Sequence, residues 1–98
     1  MRIYDMHIHL GFADMASENV IARMEKAGVY GGCIISEPPH EYDGKQTKSF
    51  EERLSRVLEF TKPHKDRLFP VMWIHPHEEN IKNKIDITNT LSLFCGIP

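Results

Sequence analysis

Near the start of the chain, Asp5-x-His7-x-His9 has the residue types and spacing of a metal site. Side chains alternate along a β-strand, so residues two apart point the same way. On a strand, His7 and His9 can therefore turn both imidazoles towards one ion. Neutral imidazole nitrogen is a ligand that zinc takes at about 2.0–2.1 Å. Asp5 has the same parity one step earlier, and is expected to accept from a ring nitrogen and fix its tautomer. Without a metal, two buried histidines on one strand would each need another hydrogen-bond partner. Four more histidines follow, at 40, 64, 75 and 77, making six in 98 residues.

The elements that must position this pair can be read from periodicity. Residues 2–8 read as a strand with Tyr4, Met6, Ile8 and Leu10 on one face and Ile3, Asp5, His7 and His9 on the other. Residues 17–27 read as a helix: Ser17 is the expected N-cap, Val20, Ile21, Met24 and Ala27 recur at helical spacing, and Gly28 follows. Val29 to Ser36 is almost entirely apolar or small, which suits a strand covered on both faces. Residues 37–48, with Pro38, Pro39 and Gly44, read as a loop. Ser49-Phe50-Glu51-Glu52 is a capping box that opens a second helix, closed near Pro63. Leu68 to Ile74 reads as a third strand, and His75-Pro76-His77 leaves it. After Asp86 there is no charged residue, and 85–98 matches no clear helix, with a short strand at Leu91 to Cys95 as the one candidate.

The order is β-α-β-α-β, which gives parallel strands. The expected fold class is α/β, an incomplete (β/α)8 TIM-type barrel of about three N-terminal units, with 1–84 as those units and 85–98 as a divergent tail. In such sheets chemistry gathers where the strands end, and His7 and His9 stand there. Glu37, directly after the second strand, has the same address and is a candidate catalytic residue. His40 lies in the same loop, where a solvated histidine is the simpler reading. His64 falls at the opposite end of the sheet. Trp73 reads as core packing and Cys33 as a buried inert thiol. Cys95 shows no partner for a nucleophile.

Composition is ordinary: 41% hydrophobic, 27% charged and a net charge of −2. It gives no electrostatic reason to expect nucleic acid or an anionic membrane as a partner. No apolar run is long enough to span a bilayer, and the N-terminus lacks a signal-peptide pattern. With two cysteines, a reducing, cytoplasmic setting is expected.

Tyr4-Asp5-Met6-His7-Ile8-His9-Leu10-Gly11 resembles the opening strand of the amidohydrolase superfamily, especially its amidohydrolase-related and TatD-type metal-dependent hydrolases. The resemblance runs on through Arg67-Leu68-Phe69-Pro70 to Ile74-His75-Pro76-His77, and covers about residues 1–80. It implies that His7 and His9 bind a divalent metal ion, zinc first. It also implies that His75 lines the active site, and that metal-activated water attacks a C–N (amide-type) or ester bond of a small-molecule substrate. A TatD-type phosphodiester hydrolase is the alternative, and nucleic acid is expected as a partner only in that case. The family's later ligands, from its fourth, fifth, sixth and eighth strands, have no counterpart here. The chain is therefore expected to be a truncated or frameshifted N-terminal piece, active or an inactive remnant. It is also expected to self-associate through its uncovered sheet edges. The polymerase-and-histidinol-phosphatase type also opens with H-x-H, but places an Asp-His pair where this chain has Ser36-Glu37-Pro38-Pro39-His40.

Overall fold

A computed structural model describes residues 1–10, 16–91 and 94–96 of the chain. The elements run β1 (Tyr4–His9), α1 (Ser17–Ala27), β2 (Gly31–Ile35), α2 (Phe50–Thr61), a 3-10 turn (Lys62–His64), β3 (Leu68–Trp73), α3 (Ile81–Thr90) and β4 (Phe94–Gly96). The four strands form one sheet in the order β1-β2-β3-β4, and each neighbouring pair is parallel.

The helix ends follow local chemistry. Ser49 Oγ accepts from the Glu52 amide at 3.1 Å while the Glu52 carboxylate accepts from the Ser49 amide at 3.2 Å, which is the expected capping box. Gly28 ends α1 at φ 76°, in the left-handed region where a side chain would be strained. One expectation is corrected here: Ala16, not Ser17, is the N-cap of α1, and Ser17 is a buried first-turn residue. A second correction concerns the tail. Residues 81–90 form α3, so the expected boundary at 84/85 falls inside a helix. Its residues are rich in β-branched Ile and Thr, which are weak helix formers. Thr88 and Thr90 return their hydroxyl protons to the carbonyls of Lys84 and Asp86, both at 2.8 Å, and Thr88 is fully buried. Tertiary burial thus holds a helix that local propensity does not announce.

The core lies on one face of the sheet. Leu10, Ile34, Leu68 and Met72 pack there against Ile21 and Met24 of α1 and Phe50 and Val57 of α2, with Ile8 and Ile87 at the margin. The strand register places Cys33 level with Phe69, and Ile35 level with both His9 and Val71, on the opposite face. We call this the inner face. Burial raises the pKa of the Cys33 thiol, and the Asp5 carboxylate raises it further. The thiolate is the reactive form, so at any pH its fraction in the fold stays below that of free cysteine. At pH 8, iodoacetamide is expected to alkylate Cys33 at least about tenfold more slowly in the native chain than in urea. Mass spectrometry of the Cys33 peptide over time checks this. Equal rates would show an accessible, unshifted thiol.

Candidate metal site at the end of the first strand

The strict alternation expected for β1 is broken. Asp5 is level with Gly32 and Ile8 with Ile34, so three steps on β1 match two on β2. The extra residue makes a β-bulge, a device that re-aims side chains beside functional sites. Past it, His9 is level with Ile35, on the inner face, whereas Ile8 joins the core. Two expectations change as a result. Tyr4 shares the inner face with His9, its ring 5.7 Å from that of Tyr30 and 6.2 Å from that of Phe69. Asp5 falls on the helix side, level with Gly32, and its Oδ1 accepts from the His7 backbone amide at 3.0 Å. It thus braces the bulge instead of orienting an imidazole.

The two imidazoles do converge. His7 Nε2 and His9 Nε2 are 2.8 Å apart, with ring centroids at 4.7 Å. At that distance one Nε2 donates its proton and the other accepts it, so the rings hold opposite tautomers when both are neutral. Burial lowers the pKa of His9, and repulsion from a charged His7 lowers it further. His9 therefore stays neutral, and able to bind a metal, to lower pH than a free imidazole. Two nitrogens 2.8 Å apart subtend about 84° at an ion about 2.1 Å from each. That angle suits adjacent positions around a five- or six-coordinate ion, and tetrahedral zinc would need the rings to part by about half an ångström. Both side chains are exposed enough to make that adjustment.

The pair continues into a row of rings. His9 lies 5.2 Å from Trp73, and Trp73 lies 4.5 Å from Tyr42 of the loop after β2. Trp73 is 8% exposed, and its indole N–H has no acceptor among the described residues. An orphaned buried donor costs about 1–3 kcal/mol, so a donor of this kind beside the histidines favours a ligand oxygen.

The other candidate residues have different employment. The Glu37 carboxylate is buried and clamped by Arg56 Nε at 2.5 Å and Lys48 Nζ at 3.1 Å, at the edge of a cleft shared with Leu10, Pro38 and Asp43. His75 is half-buried; its amide donates to Glu78 Oε2 at 2.6 Å and its Nδ1 accepts from the His77 amide at 3.1 Å. Among the described residues, neither hydrogen-bonds to His7 or His9, and no three His, Cys, Asp or Glu side chains stand ready to share an ion. His40 is exposed, and His64 Nε2 is 4.0 Å from a Glu18 carboxylate oxygen.

Sequence reasoning missed the polar hub behind the site. Arg53 is 2% exposed; its Nη1 donates to the carbonyls of Glu37 at 3.2 Å and Trp73 at 3.1 Å, and its Nη2 to Glu78 Oε1 at 3.3 Å. Lys84 Nζ joins the same carboxylate oxygen at 3.1 Å. The hub ties together the ends of β2 and β3, the turn after β3, and α3. A signal was present: Arg53 sits on the apolar stripe of α2, three residues from Phe50 and four from Val57. A charge on a buried stripe requires a partner.

No protein-family model, curated protein or solved structure matches this chain. Among the described residues no helix is long and apolar enough to cross a membrane.

Proposed function

We propose that the chain forms the opening units of a (β/α)8-type metal-dependent hydrolase, with His7 and His9 as ligands of a divalent ion, zinc first. The observation that carries this reading is the 2.8 Å approach of the two Nε2 atoms at the C-terminal end of β1. The sequential order of parallel strands and the helices packed on one face support the barrel part of the proposal. A bound divalent ion supplies water of lowered pKa as a nucleophile. The substrate class is a C–N (amide-type) or ester bond of a small molecule, with a phosphodiester as the alternative. Each residue then has a stated task. His7 and His9 hold the ion in their neutral forms. Trp73 donates its free indole N–H to an oxygen of the bound ligand. Neutral His75, with Nδ1 occupied as an acceptor, carries its proton on Nε2 and offers it at the rim. Glu37, neutralised by Arg56 and Lys48, holds the loop that carries Tyr42.

A second reading is metal binding without turnover. Two ligands fall short of the three protein ligands usual at a catalytic zinc, and the described residues hold no group of three that could share an ion.

Zinc titration by calorimetry tests the site. His7→Ala and His9→Ala are each expected to weaken zinc binding at least about a hundredfold, since each removes half of the chelate. Circular dichroism should show the fold retained, because both side chains are exposed. Lowering the pH should weaken binding as protons compete for the imidazoles, and because burial and His7 lower the His9 pKa, His9 should keep its share of the binding to lower pH than a free imidazole would. Unchanged affinity in both variants would remove the site. Zinc binding without cleavage of amide, ester or phosphodiester reporters would select the second reading.

A further inference from the structure

We propose that Arg2, Tyr30 and Arg67 form a binding site for a phosphate group, free or carried as a monoester, at the end of the sheet opposite His7 and His9. The topology gathers them. Arg2 stands just before β1, Tyr30 just before β2 and Arg67 just before β3. These strands are parallel, so the three residues meet at one rim. Backbone pairing fixes that rim. The Tyr30 amide donates to the Ile3 carbonyl at 2.7 Å, the Gly32 amide to the Arg67 carbonyl at 2.8 Å, and the Arg67 amide to the His64 carbonyl at 2.9 Å.

Two guanidinium groups converge there on one ring. The Arg2 guanidinium carbon is 4.3 Å from the Tyr30 ring centroid, and that of Arg67 is 4.7 Å from the same point. The ring attracts each cation but carries no net charge to offset them. Among the described residues one carboxylate serves the pair: Glu25 Oε1 accepts from Arg67 Nη1 at 2.9 Å, and Arg2 has no carboxylate partner. The cluster therefore keeps an uncompensated positive charge on a chain whose net charge is −2. It also keeps spare donors. A guanidinium has five N–H groups. Arg67 spends one on the Tyr30 carbonyl at 2.6 Å and one on Glu25. Its other N–H groups, and all of those of Arg2, meet no acceptor among the described residues.

Spare guanidinium donors select an oxyanion. A carboxylate presents two oxygens in one plane, enough for a single fork. A phosphate presents three acceptor oxygens and nearly two charges, enough for two forks at once. The guanidinium carbons are separated by no more than the sum of their distances to the ring centroid. A tetrahedral oxyanion held by bonds of about 2.8 Å on either side bridges a gap of that order. Arg67 is the pre-set half of the site: its side chain is 17% exposed and is held at two points. Arg2 is the exposed half, which closes on the anion. Tyr30 is the platform they share, braced by the Tyr4 ring at 5.7 Å and 72°. The site requires no metal, so it stands or falls apart from the role given to His7 and His9.

Calorimetry with inorganic phosphate and with phenyl phosphate, both in EDTA, tests the proposal. The native chain should bind at least one of them saturably, with a Kd of about 1 mM. Arg2→Gln changes an exposed side chain, so it should keep the fold and weaken binding at least about fivefold. Arg67→Lys keeps the charge but loses the fork, and should weaken binding about tenfold. Glu25→Gln removes the carboxylate that competes for Arg67, and should tighten binding about threefold. His7→Ala should leave it unchanged. Equal affinity in the native and Arg2→Gln chains overturns the proposal. So does the absence of saturable binding of both anions at about 20 mM. Weaker binding in Glu25→Gln overturns it too, since Glu25 would then not compete with the anion. With the site present, tighter binding of phenyl phosphate assigns a monoester as the ligand, and equal or weaker binding assigns free phosphate.

Discussion

Arg53→Ala is expected to cost about 3–5 kcal/mol, the usual loss when one partner of a buried ion pair is removed. The pair is almost fully removed from water, with side-chain exposures of 3% for Arg53 and 1% for Glu78. Burial lowers the pKa of Arg53, and the neighbouring Glu78 charge opposes that shift. The guanidinium remains charged at any ordinary pH. Its removal strands the Glu78 carboxylate with Lys84 and the His75 amide as its remaining partners. It also takes the Arg53 donor from the Trp73 carbonyl and leaves the Glu37 carbonyl with Ser36 Oγ as its donor. A domain of this size is stable by only about 5–15 kcal/mol, so the loss is a large part of the total. Urea melts of Arg53→Ala, Glu78→Ala and the double variant should show strong coupling, the double costing well below the sum of the singles. Additive costs would show that the two side chains act independently. Where Arg53→Ala is still folded, zinc affinity should also fall, because Trp73, against which His9 rests, is held by the hub.

The second large effect is steric. A methyl group at Gly31 would overlap the Arg67 carbonyl oxygen, and one at Gly32 would overlap the Asp5 carbonyl oxygen and press on Ile8. Both obstacles are backbone atoms, one in β1 and one in the residue that leads into β3, so relief requires neighbouring strands to part. The Gly32 amide donates to that same Arg67 oxygen at 2.8 Å, so parting the strands also costs a hydrogen bond. Overpacking usually costs about 1–3 kcal/mol, and with no flexible side chain to give way, Gly31→Ala and Gly32→Ala should each reach at least the upper end. Gly28→Ala and Gly44→Ala are the controls. Neither added methyl group meets anything within 4 Å, and Gly28 alone carries a positive φ. The first should cost about 1 kcal/mol from strain and the second should be neutral or slightly stabilising. Thermal melts of the four variants check the order; a Gly31→Ala chain as stable as Gly44→Ala would contradict the packing described for β2.

What could be read from residues alone was whatever local chemistry fixes. The capping box at Ser49 and the left-handed turn at Gly28 depend on side chains within four positions, and both stand where the sequence put them. The places of β1, β2, α2 and β3 in the chain were legible too, although the alternation expected along β1 is broken by its bulge. His7 and His9 were legible as a pair because two residues of one strand, two apart, face the same way. Three further features came from the fold. The bulge in β1 arises from pairing with β2, so the separation of Asp5 from His9 could not be seen in β1 by itself. Helix α3 is held where Thr88 is fully buried and Ile87 packs at the margin of the core, which offsets a β-branched composition. The Arg53–Glu78 hub joins residues 25 apart, and the approach of Trp73 to His9 spans more than sixty positions. Sequence determined which imidazoles could cooperate; only the tertiary structure decided how closely they approach and what stands beside them. The physical reason is range: capping, turn geometry and strand parity act within a few bonds, whereas burial and pairing depend on segments that meet only after the chain has folded.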